Sequence, residues 1–172
     1  MDMNDVLKMM MTSGALEQVS KQTGISANDA ASVVQDVLPM LLKGMQGQAA
    51  NKDTQQGFLQ ALSDHSAQDT SDVSKFLRDV DTEDGDKIVN HLLGSQKEEV
   101  AAKAKKKSGI DTKTVIKIMA ILAPLLMSKM GSTAKTAKAS SKSSSNDMLD
   151  IVTGLMDGVD AGDVLKIVSK LI

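Results

Sequence analysis

The chain has no cysteine, tryptophan or tyrosine, and Phe58 and Phe76 are its only aromatic residues in 172 positions. Without cysteine, a disulfide framework, a thiolate zinc centre and a cysteine nucleophile are all excluded. With two phenylalanines and no arginine cluster there is no platform for stacking nucleic-acid bases. The histidines are His65 and His91, and neither has a second ligand at HxxxH or HxxE spacing. Ser63, Asp64 and His65 are consecutive, a spacing that does not build a catalytic relay. GxxxxGK[ST], GxGxxG and GxSxG do not occur. The start of the chain, "MDMNDVLKMMMTSG", carries early aspartates and no basic n-region, so it does not read as a signal peptide. A cytoplasmic location is therefore expected. A net charge of −2 gives no general attraction to nucleic acid or anionic membranes.

What remains is a helix-forming composition. A 41% apolar fraction, with twelve methionines among Leu, Ile, Val and Ala, fills the place of the missing aromatics. Ala, Met, Leu, Lys and Gln favour helices, and no stretch alternates polar and apolar residues long enough for a strand.

Shifted by 85 residues, the sequence meets itself. "KQTGISANDAASVVQDVLPMLLKGM" (21–45) lies over "KKSGIDTKTVIKIMAILAPLLMSKM" (106–130) without a gap. Lys21, Gly24, Ile25, Pro39, Leu41 and Met45 fall on Lys106, Gly109, Ile110, Pro124, Leu126 and Met130. Such self-similarity reports one supersecondary unit used twice. Each copy reads as a helix ended by a left-handed glycine, Gly24 or Gly109, then an N-cap, Ser26 or Asp111, then a long helix. Ser26 and Asp29 resemble a capping box. Pro39 and Pro124 fall well inside the long helices, where each removes a backbone donor and predicts a kink or a break.

The two long helices differ on one side. Val33, Val34, Val37, Leu38, Leu41, Leu42 and Met45 form an apolar stripe, with Gln35 and Asp36 opposite. In the second copy Ala120 and Ile121 replace that polar pair, and ten apolar residues run from Ile118 to Met127. The run is shorter than the roughly 20 residues that cross a bilayer, so no membrane span is expected. A helix apolar all round must be covered on all sides. The cover is either the chain itself, making 118–130 the central helix, or a homodimer or other protein partner. Ala120, Ile121 and Met127, with the consecutive Met9, Met10 and Met11, are thus candidate interaction residues.

Elsewhere, helices are predicted over 4–12 with Asn4 as cap, 15–23, 53–64, 72–80 and 84–94. A further helix opens with Ser95 and Glu98 in capping-box spacing. It ends in Lys103, Lys105, Lys106 and Lys107, a candidate basic patch for nucleic acid. Acids at its start and lysines at its end are also what a solvated helix dipole favours, and nucleic acid is accordingly not the expected partner. "DVDTEDGD" (79–86) fails as a calcium loop, because with Gly85 at position 6, position 1 is Val80 and position 12 is His91. It reads instead as an acidic turn capping the next helix. No cofactor and no metal are predicted.

Residues 132–146 are Ser, Ala, Thr and Lys, closing on Asn146, without a bulky apolar side chain, and read as a flexible linker. Beyond them, Met148, Val152, Leu155, Met156 and Val159, then Val164, Leu165, Val168 and Leu171, predict a helical hairpin over 147–172. It is too small to stand alone and should dock on its own domain or a neighbouring chain.

The strings "QTGIS", "LPMLLKGM", "DGDKIVNHLLG" and "SGIDTKTVIKIMAILAPLLMSKMG" together resemble the bacterial DUF937 (YidB-like) family over roughly residues 3–131. The resemblance implies an all-helical domain and supplies no catalytic or ligand residues. The expected fold is all-α: a multi-helical domain (1–131) of two related helix-turn-helix halves, about 15–46 and 100–131, with kinked long helices, then the linker and the hairpin. The expected role is a non-catalytic interaction or self-association module. A nucleic-acid binder using the lysine cluster, and a hydrophobic-ligand carrier or small enzyme, are the rival classes.

Overall fold

A computed structural model describes residues 3–140, with side chains over 5–133; the predicted hairpin over 147–172 lies outside the described residues. The described chain is all-α, with no strand. Its helices are α1 (Met3–Met10), α2 (Ser13–Thr23), α3 (Ala27–Ala50), α4 (Gln55–His65), α5 (Val73–Arg78), α6 (Thr82–Leu93), α7 (Lys97–Ser108) and α8 (Thr112–Ser140), with a 3₁₀ turn at Gly94–Gln96 before α7.

Local chemistry sets most of the boundaries. The Thr12 hydroxyl caps α2 by accepting from the Ala15 N–H. Ser26 caps α3 by accepting from the Asp29 N–H at 3.1 Å, and its hydroxyl donates to the Asp29 carboxylate at 2.7 Å. Gly24 and Gly109 end α2 and α7 with the same positive φ of 76°, a conformation only glycine adopts freely. After Gly109, Asp111 accepts from the Thr114 N–H at 3.0 Å at the start of α8. Segments 21–45 and 106–130 thus both fold as helix, left-handed glycine, helix.

Several expectations need correction. Asn4 lies inside α1, which begins at Met3. Ser95 and Glu98 form no capping box, because the 3₁₀ turn occupies 94–96 and α7 starts only at Lys97, with Gln96 as a cap that makes no side-chain bond. Neither proline breaks its helix: α3 and α8 run continuously through Pro39 and Pro124. α8 also continues to Ser140, into the stretch predicted as linker; alanine and lysine keep helix propensity where apolar anchors are missing.

α8 is the central element and packs against α2, α3, α4, α5, α6 and α7. Every residue from Ile118 to Ser128 is buried. Thr112–Thr133 is long and apolar enough to cross a bilayer by length and composition alone, yet 78% of its most apolar window is buried against the rest of the chain. Ala120, Ile121, Met127 and Met10, named from sequence as candidate interaction residues, lie in the core at 4%, 0%, 2% and 1% exposure. Met9 and Met11 are half-buried against it. α6 covers the Ala120 side through Gly85: a Cβ there would collide with the Ala120 carbonyl. That same carbonyl is the one from which Pro124, four residues on, withholds an N–H. On α3 the corresponding polar pair survives because its surroundings are different: Asp36 accepts from the Lys107 ammonium of α7 at 2.8 Å.

The lysines flanking the apolar run act as ties. Lys117 donates to the Gln22 carbonyl at 2.6 Å and Lys129 to the Thr70 carbonyl at 2.8 Å. They fasten α8 to the end of α2 and to the segment between α4 and α5.

Candidate interaction groove

Among the concavities of the described surface, three are distinguished by their linings. The first, about 350 Å³, lies between the segment 68–84 and Pro124 and is rich in carboxylates: Asp69, Asp72, Asp79, Asp81 and Asp84, with Lys75 and Phe76. Its acids are already engaged. Asp72 accepts from the Lys75 N–H at 2.9 Å at the start of α5, and Asp81 accepts from the Glu83 and Asp84 N–H groups at 2.9 and 3.1 Å at the start of α6. The Ser71 hydroxyl and N–H hold the Asp69 carboxyl below the ordinary range, and Arg78 does the same for Asp79. Asp84 lies 3.6 Å from the Nε2 of His65. The acidic turn is thus a set of helix caps and ion pairs. Among the described residues no group of three or more His, Cys, Asp or Glu is placed to hold a metal.

The second concavity, about 340 Å³, is a groove lined mainly by α4 and α6, with one residue each from α3 and α8. Phe58 and Ala61 of α4, Ile88 and Leu92 of α6 and Met127 of α8 form its apolar wall. Gln48, Asp53, Thr54 and His91 form a polar rim. The rim is ordered from within: Gln48 donates to the His91 carbonyl at 2.8 Å, and the Thr54 hydroxyl donates to the Gln48 carbonyl at 3.1 Å. Gly57 faces the groove, and a Cβ built on it would meet nothing within 4 Å.

The third, about 660 Å³, adjoins the groove and shares Gln48, His91 and Leu92 with it. It runs between α3, the end of α6 and α7, with Lys43, Glu99 and Lys103 at its edge. Here α3 and α6 approach closely, since a Cβ on Gly44 would come within 2.8 Å of the Leu92 carbonyl. Met40, the one large apolar side chain that is exposed among the described residues, stands on this cleft.

Of the six residues named from sequence as an interaction surface, only Met127 reaches the groove, from inside the core. The lysine cluster is exposed on α7. Lys103 pairs with Glu99 at 2.8 Å and Lys107 with Asp36 at 2.8 Å, while Lys105 and Lys106 project from the same helix. Sequence reasoning missed Phe58, Gly57, Ile88 and Leu92. One signal was present: Gly57 stands in the middle of a helical pattern, where glycine costs about 1 kcal/mol against alanine.

The profile of the DUF937 family, described as "Bacterial protein of unknown function", matches residues 5–133, and the chain belongs to that family. No curated protein and no solved structure matches it.

Proposed function

We propose that the domain is a non-catalytic helical interaction module, and that the groove between α4 and α6 receives an amphipathic helix of a protein. The observation that carries this is where the core comes nearest to solvent: Phe58, Ile88, Leu92 and Met127, buried at 7%, 8%, 7% and 2% exposure, line one concavity, and the exposed Met40 lines the next. The wall of Phe58, Ala61, Ile88, Leu92 and Met127 and the exposed Met40 belong to two adjoining concavities with polar edges. An apolar slot between two helices, with polar groups at its rim, suits the helix-in-groove mode of recognition. The exposed Met40 on the adjoining cleft is a side chain that adapts its shape to a partner.

The rival classes have less support. Lys103 and Lys107 of α7 are paired with Glu99 and Asp36, which suits a solvated face better than a phosphate-binding one. The acids of the first cleft are committed to caps. A small apolar ligand is the second reading, because the groove volume falls at the lower end of the range for ligand sites. We also read α8 as a core helix, on the strength of the six helices packed around it.

Gly57→Trp is the discriminating variant, because Gly57 lines the groove and a Cβ there meets nothing within 4 Å, so a large side chain can be placed at its opening. Proteins retained on the tagged full-length chain from its own cell extract should include a set that this variant loses while its circular dichroism stays unchanged. An identical set for both, or none for either, contradicts the proposal. A small molecule in the mass spectrum of the purified chain, absent from the variant, would favour the second reading.

A further inference from the structure

We propose that Met40 is a peroxide-responsive modification site, whose oxidation to the sulfoxide switches off recognition at its cleft while the fold stays intact. The regulation rests on the proposed role of the groove and its adjoining cleft; the chemistry stands without it. Cysteine, tryptophan and tyrosine are absent, so the readily oxidised side chains are the twelve methionines. Among those with described side chains, Met10, Met45, Met119, Met127 and Met130 are buried, and Met9 and Met11 are half-buried. Met40 is 37% exposed. Susceptibility to oxidation follows exposure.

The fold holds this thioether in the open. Met40 follows Pro39 in α3 and lies between Leu38 and Leu41, both committed to the core. It lines the cleft of about 660 Å³ that reaches Leu92 and Val100, which leaves room for a peroxide beside the sulfur. Lys43 lines the same cleft, three residues on. It is exposed, and among the described residues it makes no ion pair or hydrogen bond. Residues at i and i+3 are neighbours on a helix surface, so an uncommitted ammonium donor stands next to the thioether.

In the step itself, a sulfur lone pair attacks one oxygen of hydrogen peroxide and the O–O bond breaks. The leaving hydroxide takes the proton of the transferred oxygen and departs as water. Sulfur is oxidised by two electrons and the peroxide is reduced by two. A flexible apolar side chain becomes polar and chiral. Its new oxygen is a hydrogen-bond acceptor that the Lys43 ammonium can satisfy. On the cleft that oxygen stays in water, so the domain keeps its fold. At Met45 or Met119 it would enter the core without a donor. A sulfoxide reductase reverses the step: two thiols become a disulfide, the thioether returns and water is released.

Hydrogen peroxide treatment of the full-length chain, followed by peptide mass spectrometry, tests the site. Met40 should gain one oxygen at least about tenfold faster than Met10, Met45 or Met119, with circular dichroism unchanged. Oxidation of Met40 no faster than of those three, or unfolding that accompanies it, overturns the site. The regulation is read on the proteins that Gly57→Trp fails to retain. At the dose that oxidises Met40 and spares the buried methionines, the wild type should lose them as well. Sulfoxide reductase with dithiothreitol should restore them, and Met40→Gln should lose them without peroxide. Full retention by a chain whose Met40 is all sulfoxide overturns the regulation. An untreated chain that retains no such set contradicts the reading of the groove and the regulation together, while the mass still decides the site.

Discussion

Three glycines in helices show how a single missing Cβ can serve opposite ends. Gly85 and Gly131 are buried where helices cross: a methyl group on Gly85 would strike the Ala120 carbonyl, and one on Gly131 the Leu62 carbonyl. Gly57 lies on α4 facing open space. Alanine gains about 1 kcal/mol over glycine in a helix interior, so steric room decides the sign. Gly57→Ala should raise the urea midpoint by the equivalent of about 0.5–1 kcal/mol. Gly85→Ala should lower it by about 1–3 kcal/mol, because backbone on both sides must move apart. Equal effects of the two would contradict the close approach of α6 to α8. At Ile121, fully buried, Ile121→Val should cost about 0.5–1.5 kcal/mol through lost contacts. Ile121→Asp should cost well over about 4 kcal/mol, as an unpaired charge enters the core. A mutant Ile121→Asp that stays stable would mean that this face is free.

Helix ends were the most legible elements, because a cap is a local event. Gly24, Ser26, Gly109 and Asp111 could be assigned from residue type and spacing, and each does what its chemistry allows. Ser26→Ala should therefore cost about 1 kcal/mol, seen as a lower urea midpoint with an unchanged slope. Ser95 misled because the 3₁₀ turn after Gly94 sets a start that no capping pattern announces. Of the kink or break expected at the prolines, the break does not occur in α3 or α8, and at Pro124 the Ala120 carbonyl that loses its N–H lies against α6 at Gly85. Asp111 adds a pH dependence. The Thr114 hydroxyl, then the Thr114 N–H, holds its carboxyl below the ordinary range. A depressed folded value contributes stability above the unfolded value, and that stability is lost as pH falls through the folded one. Wild type should thus exceed Asp111→Asn in urea midpoint at neutral pH, and the gap should close as pH falls below the ordinary aspartate range. A gap constant with pH would show that the charge is not what the cap uses.

At the scale of the molecule, the all-helical class followed from composition and period. The central position of α8 was one of two covers the apolar run allowed. The groove was not legible. Its lining comes from Gln48, Gly57, Phe58, Ala61, Ile88, Leu92 and Met127, on four helices, and no local pattern brings them together. Met9, Met10 and Met11 drew attention as a run, while among the described residues the exposed methionine is Met40. The central claim is that the most apolar stretch is the inside of the domain, and the proposed recognition by the groove depends on it. Native-state hydrogen exchange of α8 in the full-length chain tests that claim most directly. Amides between Ile118 and Ser128 should be among the slowest in the protein, with opening free energies equal to that of global unfolding by urea. Exchange of those amides through local opening, markedly faster than that of α3 or α6, would contradict it.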